Sequence, residues 1–65
     1  MNKKLENILI DNNINGYQFI KDKNLFESKY SNAMIISQVV LLSEKLLELG
    51  VDYIIDEHYN VRVKI

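Results

Sequence analysis

The stretch that decides the fold runs from residue 14 to residue 34 and reads INGYQFIKDKNLFESKYSNAM. Apolar residues recur in it at the spacing of two short helices, which we predict over residues 15–23 and 27–34. Asn24 follows the first of these helices, and Asn tolerates the left-handed conformation that ends a helix. The stretch therefore predicts two helices joined by a tight turn at 24–26.

A β-hairpin is the alternative for the first part of this stretch. Asn15–Gly16 is a strong hairpin-turn signal, and a hairpin over residues 5–23 would give a ββαββ fold. Pairing around that turn would set Asn12 opposite Phe19 and Asp11 opposite Ile20. This register mixes polar and apolar residues on each face, so we favour the helices.

Helices are also predicted on both sides of this stretch. Residues 2–12 show helical spacing of apolar residues, with a break expected at 11–13, where Asp and Asn side chains compete for the backbone. Residues 38–49 carry a regular apolar stripe, and Gly50 stands where a left-handed helix end belongs. Additional apolar residues on this helix, among them Val40 and Leu47, suggest burial on more than one side.

The last fifteen residues predict a β-hairpin with a loop at 56–60. Pairing Ile55 with Val61 sets Tyr53 opposite Val63, and Val51 opposite Ile65, all on one side of the ribbon. The other side then carries the pairs Asp52–Lys64 and Ile54–Arg62. Because both faces are satisfied at once, we predict this register. The expected fold is α+β and mainly α: three to four helices over 1–50, then a hairpin over 51–65.

Composition favours one small binding domain. Sixty-five residues with no Cys and one His accommodate a single domain, 1–65, without disulfides or a cysteine or histidine metal cluster. A thin core is commonly enlarged by a partner subunit, so we expect a homodimer. Its interface would use the surplus apolar residues of the helix and the hairpin: Val40, Leu47, Tyr53, Ile55, Val61 and Val63.

Catalytic chemistry finds little support in the sequence. No Ser stands in a recognisable nucleophile motif, and His58 in the hairpin loop is expected to be an exposed loop residue. The acidic residues Asp52, Asp56 and Glu57 lack the ligand spacing of a calcium loop. We therefore expect a cytoplasmic protein that is not an enzyme and has no cofactor, metal or membrane segment.

Charge is unevenly distributed along the chain. The formal net charge is −1, which argues mildly against a nucleic-acid partner. Residues 1–32 hold five Lys and four acidic residues, whereas residues 33–65 hold three basic and five acidic residues. The first half is therefore the better candidate for a surface that faces phosphates.

The decisive stretch resembles the helix-turn-helix of Xre/Cro-type phage regulators. Gly16-Tyr17-Gln18 resembles the opening of the first motif helix, and Lys21-Asp22-Lys23 its polar end. Ser28-Lys29-Tyr30-Ser31-Asn32 resembles the recognition helix, with Tyr30 as its buried residue. Two positions depart from the family pattern: Ile20 replaces a small residue, and Asn24 replaces Gly.

The resemblance implies a small phage or prophage transcriptional regulator, such as a repressor, that binds double-stranded DNA as a dimer. Its second motif helix would lie in the major groove. The side chains implied in DNA contact are polar and lie on the two motif helices: Gln18, Lys21, Lys23, Glu27, Ser28, Lys29, Ser31 and Asn32. The alternative is a small protein-binding inhibitor, anti-repressor or anti-defence module that does not bind DNA.

Overall fold

The chain folds as two consecutive α-β-β units that share one sheet. The computed structural model describes residues 2–30 and 33–64. In chain order the elements are α1 (Asn2–Asp11), β1 (Tyr17–Ile20), a 3-10 turn (Lys21–Lys23), β2 (Leu25–Ser28), α2 (Met34–Glu48), β3 (Asp52–Ile55) and β4 (Val61–Lys64).

All neighbouring strands of the sheet are antiparallel, in the order β1-β2-β4-β3. The second strands of the two hairpins therefore meet in the middle, and β1 and β3 form the edges. Phe19 pairs with Phe26, Phe26 with Val61, and Val61 with Ile55. These four residues form one apolar row across the face that the helices cover.

The prediction of helices over 15–23 and 27–34 is wrong, and with it the three-to-four-helix bundle over 1–50. Residues 17–20 instead form β1, and residues 25–28, which cover most of the predicted turn and the start of the second predicted helix, form β2; the 3-10 turn joins the two strands. Asn24 is left-handed as expected, with φ of 49°, but it closes a hairpin loop rather than a helix. A left-handed Asn serves either purpose, which is why this signal did not distinguish the two folds.

The alternative hairpin over residues 5–23 is also wrong, because residues 5–11 belong to α1 and not to a strand. The ββαββ order of that alternative is nevertheless present after α1, as β1-β2-α2-β3-β4. A hairpin does form in this part of the chain, but its turn lies at 21–24 rather than at Asn15–Gly16. With this turn, Phe19 faces Phe26 and Gln18 faces Glu27. The Phe19–Phe26 pair thereby lies on the face that the helices cover, and the Gln18–Glu27 pair lies on the opposite face.

Both helices end in the same backbone motif. In α1, Asn13 is left-handed and Ile14 N–H bonds to Leu9 C=O at 2.9 Å. In α2, Gly50 is left-handed and Val51 N–H bonds to Leu46 C=O at 3.0 Å. This six-residue closure satisfies carbonyls that the helix end leaves unpaired. The break predicted at 11–13 and the left-handed Gly50 are confirmed.

The helix predicted over 38–49 and the C-terminal hairpin are confirmed with differences at their ends. Helix α2 begins at Met34, four residues earlier than predicted. The β3–β4 register is the predicted one over 52–55 and 61–64, and the predicted pair Val51–Ile65 involves a residue outside the described ranges.

Among residues 2–30 and 33–64, no helix is long and apolar enough to cross a membrane.

The core lies between the two helices and one face of the sheet. Helix α1 lies over β1, helix α2 lies over β3, and the helices contact each other. The core side chains are aliphatic, with two aromatic rings: Leu5, Ile8, Ile14, Tyr17, Phe26, Ile35, Val39, Leu42, Leu46, Val61 and Val63. None of the described side chains on the opposite face of the sheet is buried, so the fold has two layers.

Candidate functional surfaces

Of the described residues predicted to contact DNA, five lie on the β1–β2 hairpin rather than on a recognition helix: Gln18, Lys21, Lys23, Glu27 and Ser28. Gln18 and Glu27 face each other across β1 and β2, and Gln18 Nε2 donates to Glu27 Oε1 at 2.8 Å. Ser28 ends β2, and its N–H donates to Asn60 Oδ1 at 2.8 Å. Because residues 25–28 form a strand, the prediction that they begin or precede a recognition helix is wrong, whereas DNA contact by these side chains stays a prediction.

The predicted lysine contacts are spread around the hairpin loop. Lys21 Nζ lies 3.3 Å from Glu6 Oε1 in an ion pair with α1. Lys23 lies in the same exposed turn, and Lys29 is exposed after β2. The remaining predicted contacts, Ser31 and Asn32, lie outside the described residues. The lysines therefore do not line up on one groove-facing helix.

Tyr30 and its neighbours also differ from the prediction. The resemblance implies that Tyr30 is the buried residue of the second motif helix. In the structure Tyr30 is 43% exposed and Met34 is 64% exposed, and Ala33 is exposed. With β2 ending at Ser28, Tyr30 and Ala33 precede α2 and Met34 begins it, and none of the three belongs to the core.

The open face of the sheet carries an apolar row with one arginine in it. Ile20 pairs with Leu25, Leu25 with Arg62, and Arg62 with Ile54. This row spans all four strands from edge to edge. Ile54 is 50% exposed, Arg62 is exposed, and Ile20 and Leu25 are half-buried. We call these four residues the open-face row.

Polar residues border the open-face row on both sides. The hydrogen-bonded Gln18–Glu27 pair lies on one side, and the Asp52–Lys64 pair lies on the other, at the far edge. An apolar centre that holds an arginine inside a polar rim is the usual composition of a protein-binding surface. A sheet that binds single-stranded nucleic acid stacks the bases on aromatic rings. The described residues of this face include no aromatic ring.

Helix α2 presents a second apolar surface. Ile36 is 47% exposed, Val40 is 50% exposed and Leu47 is 64% exposed, and their spacing of one helical turn and its multiples places them on one side. We call these three residues the α2 stripe. It lies beside the buried stripe of the same helix, which contains Ile35, Val39, Leu42 and Leu46.

The α2 stripe faces away from α1, toward the β3 edge of the molecule. The opposite flank of α2 contacts the first unit: Gln38 Oε1 accepts from Gly16 N–H, and Gln38 Nε2 donates to Asn15 Oδ1 at 3.0 Å. Helix α1 lies over β1 and helix α2 lies over β3. The flank that turns away from the first unit therefore lies above the free edge of β3.

The residues predicted at a dimer interface divide into two groups. Val40, Leu47 and Ile55 are exposed, and Tyr53 is half-buried, so all four remain accessible to a partner. Val61 and Val63 are 0% and 4% exposed and belong to the core. Strand β4 lies inside the sheet, so its apolar side chains stabilise the single chain and cannot contact a partner.

The free edge of β3 has a defined pattern of unpaired backbone groups. Asp56 N–H donates to Asn60 C=O at 3.0 Å, and hydrogen-bonded pairs alternate along an antiparallel ladder. Ile54 and Asp52 therefore bond to β4, whereas the N–H and C=O groups of Tyr53 and Ile55 point outward. Among the described residues, no backbone partner reaches these outward groups.

The loop between β3 and β4 is held by Asp56. Its carboxylate accepts from the N–H groups of His58 and Asn60 at 2.8 and 2.9 Å. Desolvation raises the pKa of Asp56, but hydrogen bonds from Asn60 and His58 outweigh it and leave the pKa below its usual value. His58 itself is exposed, as predicted.

Tyr17 connects this loop to the first unit. Its hydroxyl donates to Tyr59 C=O at 2.6 Å, and its ring is 2% exposed. Burial, with a smaller contribution from the negative charge of Asp56, raises the pKa of Tyr17 to about 12. The hydroxyl is therefore a structural donor at neutral pH. Among the described residues, no group of three His, Cys, Asp or Glu could hold a metal ion.

Sequence reasoning found part of the two exposed surfaces. The hairpin register placed Ile54 and Arg62 together on the outward side, and the helix pattern marked Val40 and Leu47 as surplus apolar residues. It missed Ile20 and Leu25, because Ile20 was assigned to a helix and Leu25 to the turn after it.

Comparison of the chain with protein family models, with curated proteins and with solved structures finds no match.

Proposed function

We propose that the chain is a non-enzymatic protein-binding module that binds its partner through the open face of the sheet. The observation that carries this proposal is the open-face row, in which Leu25 and Ile54 flank the exposed Arg62 and Ile20 continues the row to the β1 edge. Exposing apolar side chains to water is unfavourable in free energy. A contiguous exposed apolar patch with a polar rim commonly marks a surface that a partner covers. This was the alternative to DNA binding in the sequence analysis.

Arg62 defines the chemistry of the partner. Its side chain makes one long contact, from Nη1 to Lys23 C=O at 3.5 Å, so most of its donors face outward. A guanidinium prefers a carboxylate, which it can bind with two parallel hydrogen bonds. We therefore expect a protein surface with an apolar patch and an Asp or Glu side chain placed against Arg62.

DNA is the weaker alternative on the same surface. The open face and its rim carry Glu27 and Asp52 against Arg62 and Lys64, so its formal charges cancel. A DNA-binding surface instead concentrates positive charge against phosphates. One of the lysines of the first unit, Lys21, is already paired with Glu6.

The test combines capture and direct binding. Tagged wild-type chain, Ile54→Glu, Arg62→Ala and the control Glu44→Gln are used to capture proteins from extracts of the source cells. Any protein retained by the wild type and the control, and lost with both open-face variants, is purified. Its binding is then measured by calorimetry at about 50 and 200 mM salt, where an apolar interface changes little.

The same four proteins are assayed by gel shift against fragments of the source genome at both salt concentrations. Sequence-specific DNA binding that weakens steeply with salt would overturn the proposal in favour of a DNA-binding protein. Capture of the same proteins by wild type and by the open-face variants would also contradict it. Circular dichroism of each variant confirms that a loss of binding is not a loss of fold.

A further inference from the structure

We propose that two copies of the chain pair through their β3 edges, antiparallel, about a two-fold axis at Ile54, and form one eight-stranded sheet. This inference concerns self-association and does not depend on the function proposed above. It follows from three features that lie on the same side of the molecule: the unpaired groups of β3, the apolar side chains of that strand, and the α2 stripe.

The unpaired backbone groups of β3 match those of a second copy. The N–H and C=O groups that point outward belong to Tyr53 and Ile55. When Ile54 faces Ile54 of the second copy, Tyr53 faces the second copy's Ile55, and Ile55 faces the second copy's Tyr53. Each antiparallel hydrogen-bonded pair exchanges two hydrogen bonds. The two Tyr53–Ile55 pairs therefore form four hydrogen bonds and use the four outward N–H and C=O groups of each copy.

The side chains support the same register. On the open face, Ile54 meets Ile54 of the second copy, and on the helix side Tyr53 meets Ile55. Aromatic and β-branched residues are favourable cross-strand partners. A register centred on Tyr53 would set Asp52 against Ile54 and would require the N–H of Val51, which already bonds to Leu46 C=O. The Ile54-centred register is therefore preferred.

The helices fit the same arrangement. Neighbouring strands lie about 4.8 Å apart and packed helices about 8–10 Å apart, so one helix covers the width of two strands. The two helices of this chain accordingly cover its four strands. A second copy continues this layer and brings α2 beside α2. The α2 stripe is interrupted by Ser43, with Val40 before it and Leu47 after it. In an antiparallel helix pair Val40 then meets Leu47 of the second copy.

The β1 edge is less suited to pairing. Lys29 N–H bonds to Gly16 C=O, and hydrogen-bonded pairs alternate with non-hydrogen-bonded pairs along an antiparallel ladder. The backbone N–H and C=O groups that point outward from β1 therefore belong to Tyr17 and Phe19. The ion pair between Lys21 and Glu6 lies at the end of this strand, and charges at an edge oppose pairing. The β3 edge carries no basic residue between Asp52 and Asp56.

Pairing through β3 would also enlarge the proposed binding face. Four strands of four residues give a face of roughly 20 by 15 Å, well below the area of about 800 Å² that a standard interface takes from each partner. In the dimer the two open-face rows join at Ile54 and double that face. The area of a stable interface is thus approached by two copies and not by one.

Cysteine cross-linking tests the register, because the chain has no native Cys. In the proposed dimer Ile54 faces itself in a non-hydrogen-bonded pair with Cα atoms about 4.5 Å apart, within disulfide range. Ile54→Cys should form a covalent dimer rapidly under mild oxidation. Asp52→Cys on the same strand and Gln18→Cys on the opposite edge are the controls and should cross-link at least about tenfold more slowly. Equal rates in all three variants would overturn the proposed axis.

Sedimentation equilibrium from about 1 μM to about 1 mM tests the dimer without any cross-link. The wild type should self-associate, and Leu47→Arg should raise the dimer Kd about 100-fold or more, since the two-fold axis counts each lost contact twice. Ile10→Arg is the matched control, because Ile10 is 73% exposed on α1 and lies outside the interface. A wild-type chain that stays monomeric over this range would overturn the proposal.

One pair in this register is unfavourable and supplies an independent check. Asp52 faces Asp56 of the second copy at each end of the paired strands, and like charges opposite each other oppose pairing. Asp52→Asn should therefore lower the dimer Kd by about two- to tenfold. An unchanged or weaker dimer in this variant would contradict the register.

Discussion

The two α-β-β units have the same order of elements but are stabilised in different ways. In the first unit, one aromatic pair, Phe19 and Phe26, with ring centroids 4.7 Å apart, joins the hairpin to the core. In the second, the aliphatic residues of β4 alternate with charged ones, and Val61 and Val63 are buried opposite Ile55 and Tyr53 of β3. The connections differ too: Gly16 is buried against α2, whereas Gly50 is exposed. Equal topology therefore does not imply equal sensitivity to substitution.

The largest expected effect comes from the aromatic pair. Phe26 is 0% exposed and pairs with both Phe19 and Val61. Phe26→Ala should lower the free energy of unfolding by about 3–5 kcal/mol, as measured by urea denaturation. Such a loss approaches the whole stability of a small domain, so Phe26→Leu serves as a milder variant. Val61→Ala, the comparable change in the second hairpin, should cost clearly less, and equal losses would contradict the difference between the hairpins.

The buried connection gives the next largest effect. A Cβ at Gly16 would lie 2.6 Å from Gln38 Oε1 and 2.8 Å from Ile35 Cδ1. Gly16→Ala should therefore lower the free energy of unfolding by about 1–3 kcal/mol through overpacking. In a double-mutant cycle with Gln38→Ala, the two losses should not add, because the second change removes one of the clashing side chains. Additive losses would show that Gln38 does not oppose the substitution.

The exposed connection is expected to respond through backbone conformation alone. Gly50 has φ of 72°, and nothing lies within 4 Å of a Cβ built there. Gly50→Ala should cost about 1–2 kcal/mol, the penalty for a left-handed L-residue. Gly50→Asn should retain more stability, because Asn13 occupies the same place at the end of α1. Thermal denaturation compares the two variants, and equal losses would argue against the conformational cause.

The smallest expected effect is at the hydrogen bond that joins the two units. Tyr17→Phe removes the donor to Tyr59 C=O and should cost about 0.5–1.5 kcal/mol at neutral pH. Because the folded pKa of about 12 exceeds the unfolded value of about 10, this tyrosine stabilises the fold fully below pH 10. Its contribution is lost as the pH rises from about 10 to 12.

Urea denaturation at several alkaline pH values measures that loss. The wild type should become less stable over this range, and Tyr17→Phe should show a flatter dependence. Tyr30→Phe is the matched control, because Tyr30 is 43% exposed, and its profile should follow the wild type. Identical profiles for wild type and Tyr17→Phe would contradict the role of this hydroxyl.

Local signals in the sequence were sufficient for the second unit. The stripe on α2, the left-handed Gly50 and the two-faced alternation of 52–55 and 61–64 each depend on neighbours along the chain or across one hairpin. For this reason the helix, its end and the strand register were predicted from the residues alone. Val40 and Leu47 were marked as surplus to a single stripe, but the expected burial on a second side is not found in the single chain, where both are exposed; their place in a dimer interface stays a prediction.

The first unit was decided by contacts distant in sequence. Strands β1 and β2 have four residues each, and runs this short fit a helix or a strand equally well. Asn24 suited both the end of a helix and a hairpin loop. What selects the strands is the pairing of β2 with β4, about 35 residues away, and the burial of Phe26 in the core.

The sequence by itself determined where helices end, how the C-terminal hairpin pairs and which residues exceed the needs of one core, because these properties depend on periodicity and local backbone preference. Only the tertiary structure decided that residues 17–28 are strands and that Ile20, Leu25, Arg62 and Ile54 form one row. The reason is physical: a row across a sheet joins residues from four strands, and no local pattern specifies which strands become neighbours.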